Sequence, residues 1–217
     1  MDLRWSFASS ELFWIALVIL VTIPIYIYDL LLVMYVVSIR NQILDCFFIY
    51  LTIYGNYILA ILEIVYLLRY YRDRTKLDQN IAIVSALVGW CVTSRAIITL
   101  KNIFRRPRPF MVCSRIEPIC GRPTDYSFPS GHANAAWTLI TPLISSVGSK
   151  KIRILLVIFA VLMCFSRVYC GVHYVSDVIW GGLIGFALSK RIHELFNMLL
   201  GGKYRSQTDS NQTLWKP

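Results

Sequence analysis

The stretch SRVYCGVHYVSD, residues 166–177, decides the fold of this chain, because it reverses the chain between two apolar runs. Cys170 and Gly171 permit that reversal, and His173 and Asp177 follow it at the start of a predicted helix. Four residues apart on a helix, these two side chains share one face and can touch. A carboxylate that accepts a hydrogen bond from one ring nitrogen fixes the tautomer and leaves the other nitrogen free to attack. The pattern predicts His173 as a nucleophile and Asp177 as the residue that orients it.

Arg167 lies one short turn before the reversal. A guanidinium can grip two phosphate oxygens at once, whereas an ammonium lacks that fixed geometry. We therefore predict Arg167 as a phosphate ligand. Taken alone, each signal also has a plainer explanation. His173 and Asp177 could be an interfacial histidine beside a helix-capping carboxylate. Arg167 could be a side chain at the membrane end of a helix that reaches lipid headgroups.

The runs on either side belong to a strongly hydrophobic chain. Of its 217 residues, 57% are hydrophobic and 16% are charged, and the mean hydropathy is +0.58. These values exclude an ordinary soluble domain. The net charge is +10, but the basic residues lie between apolar runs and not on one amphipathic face, which argues against a nucleic-acid binder. We predict an integral membrane protein with one domain, residues 1–202, followed by a polar, disordered tail, residues 203–217.

Hydropathy predicts an all-α bundle of six transmembrane helices, judged against roughly 20 apolar residues for each bilayer crossing. The predicted spans are residues 12–28, 55–71, 81–100, 133–147, 152–169 and 175–195. Residues 29–53 are apolar but interrupted by charged and amide side chains. They are expected to form either a longer first helix or an interfacial segment.

The positive-inside rule orients this bundle with both termini in the cytoplasm of a multi-pass cell-membrane protein. In that orientation the connections at residues 69–79 and 148–153 are short, basic and cytoplasmic. Alternating crossings then bring the ends of the third to sixth spans to the extracytoplasmic face. Polar clusters that are far apart in sequence are therefore expected to meet there in one active site.

Two further polar clusters lie at these helix ends. KNIFRRPRP, residues 101–109, places Lys101 at the end of the third span and Arg108 between two prolines that restrict its backbone. Both cations suit phosphate oxygens. Arg105 and Arg106 offer secondary contacts with lipid headgroups or with the far phosphate of a diphosphate. A generic basic collar at the membrane surface is the plainer explanation of this cluster.

PSGH, residues 129–132, stands where a loop becomes the fourth predicted span. Unpaired amides at a helix N-terminus bind anions, Gly131 allows close approach, and the Ser130 hydroxyl adds a donor. His132 is suited to protonate a departing oxygen as a general acid. By itself, this motif is also explained as a simple helix cap.

Together the three clusters resemble the motifs of the type 2 phosphatidic acid phosphatase superfamily, in the order Lys-x6-Arg-Pro, Pro-Ser-Gly-His and Ser-Arg-x5-His-x3-Asp. That superfamily also includes bacterial acid phosphatases, glucose-6-phosphatases and vanadium haloperoxidases. The resemblance implies that His173 forms a phosphohistidine, that Asp177 supports it, and that His132 protonates the leaving group and later helps to activate water. It also implies five ligands for the phosphoryl oxygens, namely Lys101, Arg108, Ser130, Gly131 and Arg167.

We predict no metal and no other cofactor, because three cations in one pocket oppose a divalent metal ion and favour a phosphate. The expected partners are the bilayer and a lipid phosphate or diphosphate. A resemblance to bacterial and archaeal carrier-lipid phosphatases favours a polyprenyl diphosphate. Phosphatidic acid or phosphatidylglycerol phosphate is the alternative substrate. A non-catalytic phospholipid-binding or transport protein is the alternative class, although it would need the cations and neither histidine.

The sequence also suggests two pairings. Cys113 and Cys120 both lie in the extracytoplasmic loop, where a disulfide between them is a hypothesis. Glu63 and Arg95 lie within predicted spans, where ionisable side chains are costly and usually paired. A mutual ion pair is the hypothesis for these two residues.

Overall fold

The computed structural model of the protein describes residue 20 and residues 23–70 and 76–201. The predicted polar tail, residues 203–217, lies outside the described residues, as does most of the predicted first span at 12–28. The boundaries of the predicted domain therefore stay a prediction.

The described part of the chain is helical and contains no strand, which confirms the all-α prediction for those residues. Its helices follow one another through short connections, except for a long loop between α4 and α5. Their bounds are α1 Ile23–Ser38, α2 Gln42–Tyr70, α3 Leu77–Phe104, α4 Pro109–Val112, α5 Gly131–Ser146, α6 Lys150–Tyr169 and α7 Val175–Phe196, and a π-helical turn, Asn197–Gly201, follows α7.

Within the described ranges, three helical stretches are long and apolar enough to cross a membrane. They are Gln42–Tyr70, Leu77–Val112 and Lys150–Tyr169. The remaining helices depart from the simple span pattern, because α5 has only 16 residues and α7 buries polar side chains among its neighbours. Both helices pack against several neighbouring helices, so their buried polar residues find protein partners.

The region between the first two predicted spans is resolved into two helices. The α1 helix continues to Ser38, as a longer first helix would, and α2 begins at Gln42, well before the predicted start at residue 55. The break between them is fixed by Arg40, whose Nε and Nη2 donate to the carbonyl of Tyr169 at the end of α6. The prediction of an apolar helix starting at 55 was wrong because this contact, and not hydropathy, decides where α2 begins.

The α5 helix occupies the centre of the bundle, where it packs against α3, α6 and α7 and also touches α2. Two glycines of α7 allow the closest approach. A Cβ atom added to Gly181 would lie 2.4 Å from the carbonyl oxygen of Ser130, and one added to Gly185 would lie 2.4 Å from that of Asn134. Small residues permit helix backbones to come this close in membranes. The contact joins the start of α5 to the start of α7.

The two pairings expected from the sequence are both wrong. Cys120 bonds to Cys170 at the end of α6, with the Cα atoms 5.7 Å apart, while Cys113 is a free, half-buried thiol. The fold brings the loop against α6, since the Ile119 amide donates to the Cys170 carbonyl at 3.3 Å. A partner fifty residues away could not be read from spacing within the loop.

The ion pair expected within the spans is absent as well. Glu63 is buried on α2, and neither of its carboxylate oxygens has a hydrogen-bond partner among the described residues. Arg95 lies on α3 with an exposed side chain. The predicted pair fails because the two helices turn these residues in different directions.

Candidate active site

The three sequence clusters meet around one cavity of about 320 Å³ at one end of the bundle. Residues from α3, the start of α4, α5, α6 and the turn before α7 line its charged part: Lys101, Arg108, Gly131, His132, Arg167 and His173. The helix-end geometry therefore brings together residues that are up to about seventy positions apart in the sequence.

The first cluster enters the cavity through a turn at the end of α3. Lys101 lies in the last helical turn, and Arg105 ends the helix in the left-handed region with a φ of 48°. Its amide donates to the Lys101 carbonyl at 2.9 Å. Arg108 then takes an extended conformation as the N-cap of α4, with Pro109 at the first helical position. This turn directs both Lys101 and Arg108 towards the cavity.

The second cluster forms the start of α5. Ser130 is its N-cap, and the hydroxyl accepts from the amide of Ala133 at 3.5 Å. The Ser130 amide donates to the Asp177 carbonyl at 3.0 Å, which ties the second cluster to the third. Ser130 is fully buried and does not line the cavity, whereas Gly131 and His132 do. The structure thus brings four of the five predicted phosphate ligands to the cavity wall and leaves the Ser130 hydroxyl as a helix cap.

The third cluster places His173 in the turn between α6 and α7, with Asp177 in the first turn of α7. The Nδ1 atom of His173 lies 3.3 Å from Oδ2 of Asp177. The same carboxylate oxygen accepts from the Tyr174 amide at 3.0 Å and from the hydroxyl of Ser127. Three neighbours therefore fix this carboxylate against the histidine ring, in the arrangement that the four-residue spacing predicts.

The other nitrogen of His173 faces the cations of the cavity. Its Nε2 atom lies 3.2 Å from Nη1 of Arg108. Burial first, and then the charges of Arg108 and Arg167, hold the pKa of His173 well below its ordinary value of 6.5. The ring is therefore neutral at neutral pH and keeps a lone pair, which is the form that a nucleophile requires.

Asp125 is the principal residue that sequence reasoning missed. It lies in the loop before α5, and its carboxylate bridges two cations, with Oδ2 at 2.5 Å from Lys101 Nζ and Oδ1 at 2.6 Å from Arg108 Nη2. Burial alone would raise the pKa of Asp125, but the hydrogen bond and charge of Lys101, together with Arg108, lower it to about 2. Asp125 is thus a carboxylate anion held where phosphate oxygens were expected.

Arg167 approaches the cavity from the end of α6 and is almost completely buried. Its Nη1 donates to Thr52 of α2 at 2.5 Å, while its buried Nε has no hydrogen-bond partner in the described part of the chain. A buried guanidinium with an unused donor is available to an anion in the cavity. Arg167 therefore has the position and the free donor that a phosphate ligand requires.

The remaining two arginines point away from this cavity. Arg106 reaches behind His173, where it binds Asp177 at 2.6 Å and Asp29 of α1 at 3.0 Å. Arg105 is exposed, and its Nε donates to the Asn102 carbonyl at 3.0 Å. Both line a separate, mainly apolar groove between α1, α3 and α7. Their predicted contacts with headgroups or a second phosphate stay a prediction, and Arg106 has a structural role that its sequence position did not indicate.

Weak signals for the missed residues exist in the sequence. Asp125 and Glu117 are the two acidic residues of the basic loop, and Asp29 interrupts an apolar stretch. Thr52 and Asn56 are polar positions within α2, and both line the cavity. Each of these residues is polar where an apolar or basic residue is expected, but the sequence does not indicate which residue it contacts.

The acidic and sulfur-bearing side chains do not cluster around this cavity. Among the described residues, no group of three or more His, Cys, Asp and Glu side chains is arranged to hold a metal ion. The charged lining consists mainly of nitrogen cations, with the imidazole nitrogens of His132 and His173 beside them, a donor set that suits an oxyanion.

Several known proteins are similar to this chain in sequence. The PAP2 superfamily profile matches residues 80–200, more than half of the chain. The undecaprenyl-diphosphatase of Sulfolobus acidocaldarius is 43% identical over 90 residues, which cover 41% of this chain and 43% of that relative. The undecaprenyl-diphosphatase BcrC of Bacillus subtilis is 27% identical over 157 residues, or 72% of this chain and 77% of BcrC.

A solved structure shares the fold. The crystal structure of a transmembrane PAP2-type phosphatidylglycerolphosphate phosphatase from Bacillus subtilis has a TM-score of 0.64 and 24% sequence identity, and the match covers 88% of this chain and 96% of that one. The matched region of the family includes all three polar clusters. The sequence match and the shared helical architecture together show that this chain belongs to the PAP2 superfamily of membrane phosphatases.

Proposed function

We propose that the protein hydrolyses a polyprenyl diphosphate of the undecaprenyl or dolichyl type to the monophosphate and inorganic phosphate, without a metal ion. The observation that carries this proposal is the meeting of three cations with His132 and His173 in one cavity. Cations around a phosphoryl group stabilise the charge that develops as it is transferred. They also neutralise the substrate, which removes the need for a divalent ion.

In the proposed reaction, Nε2 of His173 attacks the terminal phosphorus. The bond from phosphorus to the bridging oxygen breaks, and that oxygen takes a proton from His132 and leaves as the lipid monophosphate. Water then attacks the phosphohistidine, His132 takes its proton, and the phosphorus–nitrogen bond breaks to release inorganic phosphate. Asp177, on the Nδ1 side of the ring, stabilises the positive charge that His173 gains during the attack.

The shape of the cavity supports a lipid substrate. From its charged end the lining continues along α2 and α3 through Tyr57, Trp90, Ile97 and Ile98. Trp90 lies about 16 Å along α3 from Lys101, at 1.5 Å for each helical residue. A phosphate bound at the cations therefore leaves the start of an apolar tail between two apolar helices.

The choice of a diphosphate is supported by the relatives, since the two undecaprenyl-diphosphatases align with this chain. The alignment with the Sulfolobus relative covers less than half of that protein. The polyprenyl diphosphate substrate is therefore proposed and must be compared with phosphatidylglycerol phosphate and phosphatidic acid.

We further propose a six-span membrane topology with the active site at the extracytoplasmic face and both termini in the cytoplasm. The disulfide Cys120–Cys170 supports this orientation, because it lies at the same end of the bundle as the cavity and disulfides form in oxidising compartments. At the opposite end, α6 begins with Lys150 and Lys151. Short basic connections of this kind are typical of the cytoplasmic side.

The experiment that tests the function is phosphate release from a panel of polyprenyl diphosphates, phosphatidic acid, phosphatidylglycerol phosphate and soluble phosphate esters, in the presence of EDTA. The largest kcat/KM is expected for a polyprenyl diphosphate. His173→Ala should lower release at least about a thousandfold, because it removes the attacking atom. An acid-labile phosphoprotein should form in the wild type and not in this variant.

A matched control is His193→Gln. His193 is also a largely buried histidine, but it lies near the other end of α7, where its Nδ1 is 2.9 Å from the Ser85 hydroxyl. Its activity for each folded molecule should equal that of the wild type. Unchanged release in His173→Ala would remove the proposed nucleophile, and loss of activity in EDTA with rescue by zinc would overturn the metal-free mechanism.

A further inference from the structure

The phosphate-binding side of the cavity is already occupied by a carboxylate. Arg108 directs Nη2 to Oδ1 of Asp125, Nε to the Asp125 carbonyl at 2.8 Å, and Nη1 to the Val172 carbonyl at 2.7 Å. Lys101 donates to Oδ2 of Asp125 and to the Tyr126 carbonyl at 2.7 Å. The two cations that are predicted to hold a phosphoryl group thus donate to Asp125, to the carbonyl of Tyr126 and to the carbonyl of Val172.

A phosphoryl group and the Asp125 carboxylate compete for the same donors. Both are anions that accept hydrogen bonds in pairs, and a guanidinium edge accommodates one of them at a time. Two anions in contact between the same cations would also repel each other. A bound phosphate can therefore reach Lys101 and the Nη2 of Arg108 only when the side chain of Asp125 leaves.

We propose that the Asp125 carboxylate occupies the place of the substrate's phosphoryl oxygens in the free enzyme, leaves when the phosphoryl group binds, and returns to displace inorganic phosphate. This inference rests on the proposed function, since it assigns the anion at that same site. Asp125 acts as an internal competitor that limits how tightly the cavity holds its product.

The surroundings of Asp125 allow the exchange. Its side chain is 55% exposed, whereas that of Arg108 is 2% exposed, so the carboxylate can rotate towards water while the cation stays. Its carbonyl remains tied to Arg108, and the Ser127 amide donates to the Arg106 carbonyl at 2.9 Å. A side-chain rotation is therefore enough, and the loop backbone keeps its place.

The exchange also concerns the nucleophile. In the free enzyme Nη1 of Arg108 lies against Nε2 of His173. When the phosphoryl group replaces Asp125, Nη2 of Arg108 donates to the phosphoryl oxygens. The guanidinium, still held through Nε and Nη1, keeps the phosphoryl group next to Nε2 of His173. Substrate binding thus replaces the carboxylate on Arg108 with the phosphoryl group that His173 attacks.

The test is equilibrium binding of inorganic phosphate to the full-length protein in detergent, measured by titration calorimetry. Asp125→Asn keeps the size of the side chain and removes its charge. It should bind phosphate about tenfold more tightly than the wild type, which corresponds to about 1.4 kcal/mol. Inhibition of turnover by phosphate should strengthen by the same factor.

The matched control is Glu117→Gln in the same loop. Its carboxylate is 83% exposed and its ion-pair partner is the surface residue Arg122, at 3.9 Å. Phosphate affinity in this control should equal that of the wild type. A general effect of lowering negative charge in the loop would tighten binding in both variants and would overturn the proposal.

Equal or weaker phosphate binding in Asp125→Asn would also overturn it, because Asp125 would then orient the cations and not compete with their ligand. Asp125→Ser provides a second neutral variant if the first does not fold, with the same expected direction. Binding of inorganic phosphate needs no turnover. Tighter binding in these variants, combined with no phosphate release by the wild type from any lipid of the panel, would leave the competition standing while the proposed function failed.

Discussion

Two clusters of carboxylates and cations lie on opposite sides of the His173 and Asp177 pair, and they differ in their access to water. The front cluster joins Asp125 to Lys101 and Arg108, and its carboxylate is 55% exposed. The back cluster joins Arg106 to Asp29 and Asp177. Its two carboxylates are 2% and 0% exposed, respectively.

This difference in exposure suggests different roles for the two clusters. An exposed carboxylate gives up its partners at little cost, because water replaces them. A buried carboxylate without its cation would stand in a medium of low polarity at a cost of several kcal/mol. The front cluster is therefore suited to receive a substrate anion, while the back cluster holds Asp177 in one position throughout the reaction.

One short segment supplies both clusters. Arg106 and Arg108 are two residues apart, separated by Pro107, and they extend to opposite sides of the catalytic pair. Arg106 is also enclosed by aromatic rings, with its guanidinium carbon 3.8 Å from the ring centre of Tyr174 and 4.7 Å from that of Tyr26. Cation–π contacts favour a guanidinium at such a place. The same residue type thus has two different roles within one motif.

The largest effect is expected from breaking the back cluster. Arg106→Gln leaves Asp29 and Asp177 buried without their cation, and the free energy of unfolding should fall by about 3–5 kcal/mol. Denaturant unfolding in detergent measures this change. The matched control is Arg105→Gln, an exposed neighbour, which should shift stability by less than about 0.5 kcal/mol. Equal losses in the two variants would remove the distinction between the clusters.

A smaller loss of stability is expected when Asp29, the second carboxylate of the back cluster, is changed. Asp29 accepts from Arg106 at 3.0 Å and from the Ser176 amide at 3.0 Å, so Asp29→Asn weakens both contacts but leaves Asp177 to balance the cation. The loss of stability should be about 1.5–3 kcal/mol. Asp78→Asn, at an exposed carboxylate in the first turn of α3, is the comparison. A loss as large as that of Arg106→Gln would show that the three charges act as one unit.

The smallest effect concerns the histidine between the clusters. Because burial and then the nearby cations lower the pKa of His173, the neutral form persists below the ordinary value of 6.5. Activity is lost as protonation removes the lone pair, so the acid limb of the kcat/KM profile for the free enzyme should lie below pH 6.5. Phosphorus NMR of the substrate over the same range separates its own ionisation. An acid limb above 6.5 after that correction would contradict a cation-lowered pKa.

The sequence predicts the parts of the site that depend on spacing within one element. His173 lies beside Asp177, as the four-residue spacing predicts, although His173 stands in the turn before α7 and not on the helix. The turn with two prolines returns Arg108 to the side of Lys101. Apolar runs and their charged ends likewise predict a helical membrane bundle.

The parts that depend on contacts between distant elements could not be predicted. Asp29 reaches Ser176 across 147 residues, and Cys120 finds Cys170 only because the loop folds over the end of α6. Asp125 lies in an irregular loop, where no periodicity indicates the direction of a side chain. Tertiary contacts decide such roles.

The approach of Gly181 to Ser130 has a consequence for the catalytic machinery as a whole. His132 follows Ser130 by two residues on α5, and His173 lies in the turn just before α7, which carries Gly181. The two helices meet backbone to backbone beside both histidines. Their separation is set by a position that has no side chain. Any larger residue at position 181 would therefore move the proposed proton donor, His132, away from the proposed nucleophile, His173.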